Sequence, residues 1–227
     1  MPNPSIVVPG STEVRIPVGG ETIGADLNVP DASQGMVLFA HGSGSSRFSR
    51  RNRAVAEYLS RAGIGTLLLD LLTESEDRVD TATAQYRFDI PLLASRLITA
   101  SDWISAQAPL AHLPIAYFGA STGAAAALVA AAERQGRVVA VVSRGGRPDL
   151  AGPALPRVRA SSLLIVGGAH PVVLELNEQA LARMTCPRKL EIVPGATHLF
   201  EEPGALERVA ELVRDWFLAR FSPAPAS

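Results

Sequence analysis

Ile115-Ala116-Tyr117-Phe118-Gly119-Ala120-Ser121-Thr122-Gly123, with the run Ala124 to Ala132 behind it, is the stretch whose reading decides the fold. An apolar four-residue segment enters a Gly-x-Ser-x-Gly turn and a helix-favouring segment leaves it. Strand, sharp turn and helix are therefore expected in that order. A turn this tight holds its central residue in strain and needs small neighbours, which Gly119 and Gly123 supply. It would lift the Ser121 hydroxyl out at the end of a sheet. Five such residues alone could equally be an ordinary glycine-rich turn; the flanking strand and helix favour the nucleophile-bearing kind.

Outward from this turn, the chain alternates apolar runs with helical stretches. Glu13 to Val18 and Thr22 to Val29, joined by Gly19-Gly20, read as an antiparallel hairpin. Met36 to Ala40, Gly65 to Leu69, Ile115 to Phe118, Val138 to Val142, Leu163 to Val166 and Leu190 to Val193 read as strands buried on both faces. Helices are expected over about Arg51 to Ala62, Ile90 to Gln107, Thr122 to Gln135, Val172 to Met184 and Ala205 to Phe221. Regular alternation of this kind with right-handed crossovers predicts an α/β architecture: a mostly parallel sheet with helices on both faces and an antiparallel start. Leu71 to Phe88, acidic and without apolar period, reads as a surface excursion. Residues 1–221 are expected to form one domain, and the Pro/Ala tail 222–227 to be disordered.

With 227 residues and 47% hydrophobic side chains, the chain can bury one large core. A net charge of -1, from 21 basic and 22 acidic residues, argues against nucleic acid or an anionic membrane surface as partner. No apolar run reaches the roughly 18 residues a membrane-spanning helix needs, and Met1-Pro2-Asn3-Pro4 does not open like a secretion signal, so a cytoplasmic location is expected. The lone Cys186 has no disulfide partner, and the four histidines are scattered, so no metal or organic cofactor is implied.

A serine hydroxyl needs a neighbouring base. His198 follows the last strand in Val193-Pro194-Gly195-Ala196-Thr197-His198 and comes after the serine in chain order, as this chemistry on this architecture requires. The plain alternative is a loop histidine at the start of the last helix. His41, at the end of the third strand, reads as structural, and the glycine-rich bend after it can aim backbone N–H groups at a developing oxyanion. The donors expected are the N–H of Ser43 and that of Thr122. Asp70, ending the fourth strand, is expected to bond loop backbone, and His112 to be an exposed connector. Phe48, Tyr86, Phe88, Arg47 and Arg50 are candidates for the pocket border.

His41-Gly42-Ser43-Gly44, the Gly119 to Gly123 turn and Gly195-Ala196-Thr197-His198 together resemble the α/β-hydrolase superfamily, in particular its small dienelactone-hydrolase-like members, over nearly the whole chain. The resemblance implies a mostly parallel eight-stranded sheet, little or no lid, and hydrolysis of ester or related acyl bonds. Dienelactone hydrolases themselves use a cysteine nucleophile. Ser121 stands here instead, so lactone specificity does not carry over. In such relatives the triad acid follows the seventh strand as a glycine pair, one residue, then aspartate. This chain reads Gly167-Gly168-Ala169-His170. Three readings stand open: neutral His170 orients His198 through a ring nitrogen; an acid such as Asp149 arrives from elsewhere; or catalysis is largely lost and the pocket binds. The expectation is a serine hydrolase for a small-molecule acyl substrate, with Ser121, His198 and His170 as its triad positions, Ser43 and Thr122 at the oxyanion, and transfer to another acceptor or a non-catalytic binding role as alternatives.

Overall fold

The computed structural model describes residues 10–221. The tail expected to be disordered lies outside them. β1 (Thr12–Val18) and β2 (Glu21–Asn28) form the expected hairpin, with Gly19 and Gly20 turning at φ of 54° and 90°. There follow β3 (Met36–Ala40), α1 (Arg50–Arg61), β4 (Gly65–Leu69), α2 (Glu74–Thr83), α3 (Ile90–Ala106), β5 (Ile115–Ala120) and α4 (Thr122–Glu133). β6 (Val138–Arg144), β7 (Ser161–Gly167), α5 (Pro171–Arg183), β8 (Arg188–Val193) and α6 (Ala205–Phe221) complete the order. The strands lie as β1-β2-β4-β3-β5-β6-β7-β8 in one open sheet. β2 meets β4 antiparallel, and every pairing from β4 to β8 is parallel.

Successive strand residues point to opposite faces, so each central strand feeds two cores. Leu38, Tyr117 and Val141 pack on one side with Leu97 of α3 and the alanines of α4. Phe39, Phe118 and Val142 pack on the other with Leu59 of α1 and Val213 and Phe217 of α6. The alanine run is what lets α4 lie close against the sheet. Because β3 and β5 to β8 are parallel, the loops leaving their carboxyl ends share one rim, where α/β sheets hold ligands. The turns after residues 40, 120, 144, 167 and 193 are brought together there.

Two segments depart from the expectation. Leu71–Phe88 is not irregular: it contains α2, set by a capping box in which Thr73 Oγ1 accepts from Glu76 N–H and Glu76 accepts from Thr73 N–H. Local polar capping, rather than apolar periodicity, makes this helix. Its Asp80 is buried and accepts from the N–H groups of Tyr86 and Arg87 and from the Arg87 guanidinium, closing the return to α3. Second, Pro148–Arg157 is a kinked 3-10 segment whose prolines at 153 and 156 hide any helical period. In addition β6 runs on to Arg144, so Ser143 and Arg144 belong to the strand and not to the loop after it.

Candidate active site

Ser121 sits between β5 and α4 at φ 51°, ψ −123°, a region that costs a residue with a side chain about 1–3 kcal/mol. Surrounding hydrogen bonds hold it there. Its N–H donates to the Arg144 carbonyl (3.3 Å), and its carbonyl accepts from the N–H groups of Ala124 and Arg147 (3.1 Å each). The small neighbours are obligatory. A Cβ on Gly119 would fall 2.4 Å from Ala124 Cα, and one on Gly123 2.4 Å from the carbonyl oxygens of Ala40 and His41. The expected turn is therefore present, and for the expected reason.

His41 holds the neighbouring bend. Its Nε2 accepts from Leu71 N–H (3.1 Å), which leaves the proton on Nδ1 to donate to the Gly42 carbonyl (2.9 Å). Burial keeps this imidazole below its ordinary 6.5, consistent with a neutral structural ring. Ser43 N–H, the expected oxyanion donor, donates to Thr122 Oγ1 (2.9 Å), so the second donor's own side chain occupies the first. Thr122 N–H heads α4, where the first amides have no carbonyl a turn back to bond.

Ser121 and His198 line one pocket of about 230 Å³, together with Gly42, Ser43, Arg51 and Arg144. It shares Gly42, Ser43 and Ser45 with a larger cavity of about 660 Å³ over His41, Leu71, Asp80 and Arg87, which Phe48 also lines. Among the other border candidates, Phe88 is exposed and Arg47 is buried in ion pairs to Asp70, Asp26 and Glu13. Asp70 also accepts from Arg47 N–H (2.9 Å), the loop-holding part expected of it, and His112 is exposed.

His170 is the N-cap residue of α5, with no side-chain cap bond, and its ring centroid lies 5.5 Å from that of His198, tilted by 57°. The two rings are neighbours, yet the Nδ1 atoms of both are buried without a hydrogen-bond partner. Asp149 does not complete the site: Arg147 holds both its oxygens, at 2.9 and 2.8 Å. Glu201 pairs with Arg51 (2.9 Å). Burial first, then the proximity of His170, Arg144 and Arg51, hold the His198 imidazole below 6.5, so it is neutral at pH 7 and able to accept a proton. Arg144 is the residue that sequence reasoning missed. Ending the apolar strand at Val142 put it in a loop, although a charged side chain at the mouth of a buried strand was the available signal.

Sheet order, the strained serine after the fifth strand and the late histidine at the same rim define an α/β hydrolase. The structure of a dienelactone hydrolase from Anabaena variabilis is 54% identical, superposes with a TM-score of 0.90, and aligns over 93% of this chain and 99% of that one. The chain belongs to the dienelactone hydrolase family. Est1E from Butyrivibrio proteoclasticus, 17% identical over 93% of this chain and 99% of its own, shares the fold with a TM-score of 0.76. A curated Mycobacterium tuberculosis protein named "Putative phosphoribosyl transferase" is 56% identical over 215 residues, 94% of this chain and 48% of that protein. This chain thus spans about half the length of that relative. No family model matches the sequence. Among the described residues, no helix is long and apolar enough to cross a membrane, and no three potential metal ligands cluster.

Proposed function

We propose that this chain is a serine hydrolase that cleaves a small ester or related acyl bond. Ser121 Oγ attacks the carbonyl carbon while His198 takes its proton. The N–H groups of Thr122 and Ser43 receive the oxyanion, the latter once the Thr122 hydroxyl yields. His198 then returns the proton to the leaving group, and water, deprotonated by the same imidazole, discharges the acyl-enzyme. The observation that carries the reading is a strained serine and a neutral, partly buried histidine lining the same small pocket. The phosphoribosyl transferase name belongs to a protein about twice as long. The proposal concerns this chain alone.

A non-catalytic binding role is the second reading, favoured by the histidine where the family pattern has an acid. Labelling by a fluorophosphonate probe and turnover of p-nitrophenyl esters separate the two. Wild type should label and turn over, and Ser121→Ala should do neither, since losing such a nucleophile costs up to about a millionfold in turnover. A wild type that fails both tests would leave the binding role. Product analysis with competing alcohols and amines distinguishes hydrolysis from acyl transfer.

A further inference from the structure

The four histidines are scattered along the chain, yet the fold brings two of them together. His170 ends the turn after β7, and His198 lies in the loop after β8. These loops brace each other: Gly168 N–H donates to the Val193 carbonyl (2.9 Å) and Ala169 N–H to the Ala196 carbonyl (3.0 Å). Their approach is close, since a Cβ on Gly167 would meet the Ala196 and Thr197 carbonyl oxygens at 2.3 and 2.5 Å. The two rings are thereby held 5.5 Å apart, centroid to centroid, before anything binds. Preorganisation of this kind lowers the cost of holding a shared ligand.

Each ring carries a buried Nδ1 without a hydrogen-bond partner. Buried polar atoms are nearly always satisfied, and two orphaned imidazole nitrogens on neighbouring rings match the donor set of a borderline divalent metal ion. With Zn–N bonds of about 2.0–2.1 Å and each nitrogen about 1.15 Å from its ring centre, a tetrahedral ion shared by both rings sets the centres about 5.2 Å apart. The observed 5.5 Å differs by only about 0.3 Å. Gly145 leaves room on this side of His198, because a Cβ there would stand 3.4 Å from its Nδ1. The surrounding charges are mixed. Arg144 is buried nearby, Arg51 is paired with Glu201, and Glu202 is held ionised by the hydroxyl of Thr197, the residue before His198. No third protein ligand joins the two rings among the described residues, so water completes the coordination and the site is weaker than a structural zinc centre.

We propose that His170 and His198 together bind a divalent transition-metal ion, Zn2+ or Cu2+, through their Nδ1 atoms, and that the bound ion reversibly switches the hydrolase off. A neutral imidazole has one proton. To receive the Ser121 proton at Nε2, His198 must keep its own on Nδ1. When Nδ1 gives its lone pair to the ion, that proton moves to Nε2, and no lone pair is left to face Ser121. Two nitrogen–metal bonds form, two waters leave the ion, and nothing is oxidised or reduced. Binding rests on the two rings alone, and inhibition rests on the serine hydrolase reading.

The test starts from EDTA-treated, dialysed protein. Calorimetric titration with ZnCl2 should show one ion per chain in wild type and in His112→Ala, and binding at least about tenfold weaker in His170→Ala. One equivalent of Cu2+ should give a two-nitrogen splitting in its electron paramagnetic resonance spectrum with wild type, and lose one nitrogen with His170→Ala. Turnover of p-nitrophenyl esters should fall about tenfold at a Zn2+ concentration about ten times the dissociation constant, and return with EDTA. His170→Ala, measured against its own metal-free rate, should not respond. Failure to bind one ion, binding unchanged in His170→Ala, or full turnover with the ion bound overturns the proposal. Should His170→Ala fail to fold, the two-nitrogen spectrum and EDTA-reversible inhibition of wild type decide. If wild type cleaves no ester, the hydrolase reading falls, and the titration and the spectrum still decide the metal site.

Discussion

Replacing His170 by aspartate puts a carboxylate where an imidazole ring now stands beside His198. At the 5.5 Å separation of the two rings, a full charge pair at an effective dielectric near 20 is worth about 3 kcal/mol. The site opens to solvent, so about 1–2 kcal/mol is the share expected to survive screening. That energy favours the His198 imidazolium formed as Ser121 loses its proton. It corresponds to a rise in kcat of about fivefold to thirtyfold, less than the roughly 10⁴ separating aspartate from asparagine in a serine protease triad. The same interaction raises the His198 pKa, so the acid limb of the kcat/KM profile, expected below pH 6.5 in wild type, should move up by about one unit. A competing fate is visible in the structure: position 170 caps α5, and a carboxylate there can accept from the first-turn amides, stabilising the fold by about 1 kcal/mol. Ester kinetics across pH, with a thermal melt of each protein, separate these outcomes. An unchanged kcat with the acid limb in place would refute the reasoning, and a higher Tm beside it would identify capture by the helix as the cause.

Gly123→Ala should destabilise the protein by about 3 kcal/mol and lower its Tm by about 6–12 °C, because the added methyl meets the Ala40 and His41 carbonyls at 2.4 Å; a melt within 2 °C of wild type, on the order of measurement scatter, would mean that the turn relaxes freely. Thr122→Val removes the acceptor on Ser43 N–H and should raise kcat about twofold to tenfold. A fall would assign the hydroxyl a loop-holding part instead. His41 is buried with its folded pKa depressed below 6.5, so the unfolded chain binds more protons and stability is lost as pH falls through that value, at up to about 1.4 kcal/mol per unit. Urea midpoints between pH 7.5 and 5.5 should decline accordingly, and less steeply in His41→Gln, where the lowered His198 still contributes. A flat wild-type profile would contradict a neutral His41.

Much of this protein is legible in its sequence. Gly119 and Gly123 around Ser121, the alternation of apolar runs with helical ones, and the order of serine before histidine are local patterns, and each arises from sterics or periodicity acting within a few residues. They are enough to give a doubly covered sheet with its serine and its late histidine on one rim. The segment 71–88 escaped because a capping box made its helix without an apolar stripe, and the 3-10 segment escaped because its prolines hide the period.

What the linear order could not decide is which side chains meet. That Arg147 closes on Asp149, that Thr122 occupies the Ser43 amide, and that Arg144 reaches the pocket without a counter-charge all depend on contacts across strands distant in the chain. Backbone geometry is written in neighbours; charge pairing in a buried site is a competition among every group the fold delivers there. The amino-acid sequence therefore determined the scaffold and the places of serine and histidine, and tertiary packing alone decided the electrostatics around them.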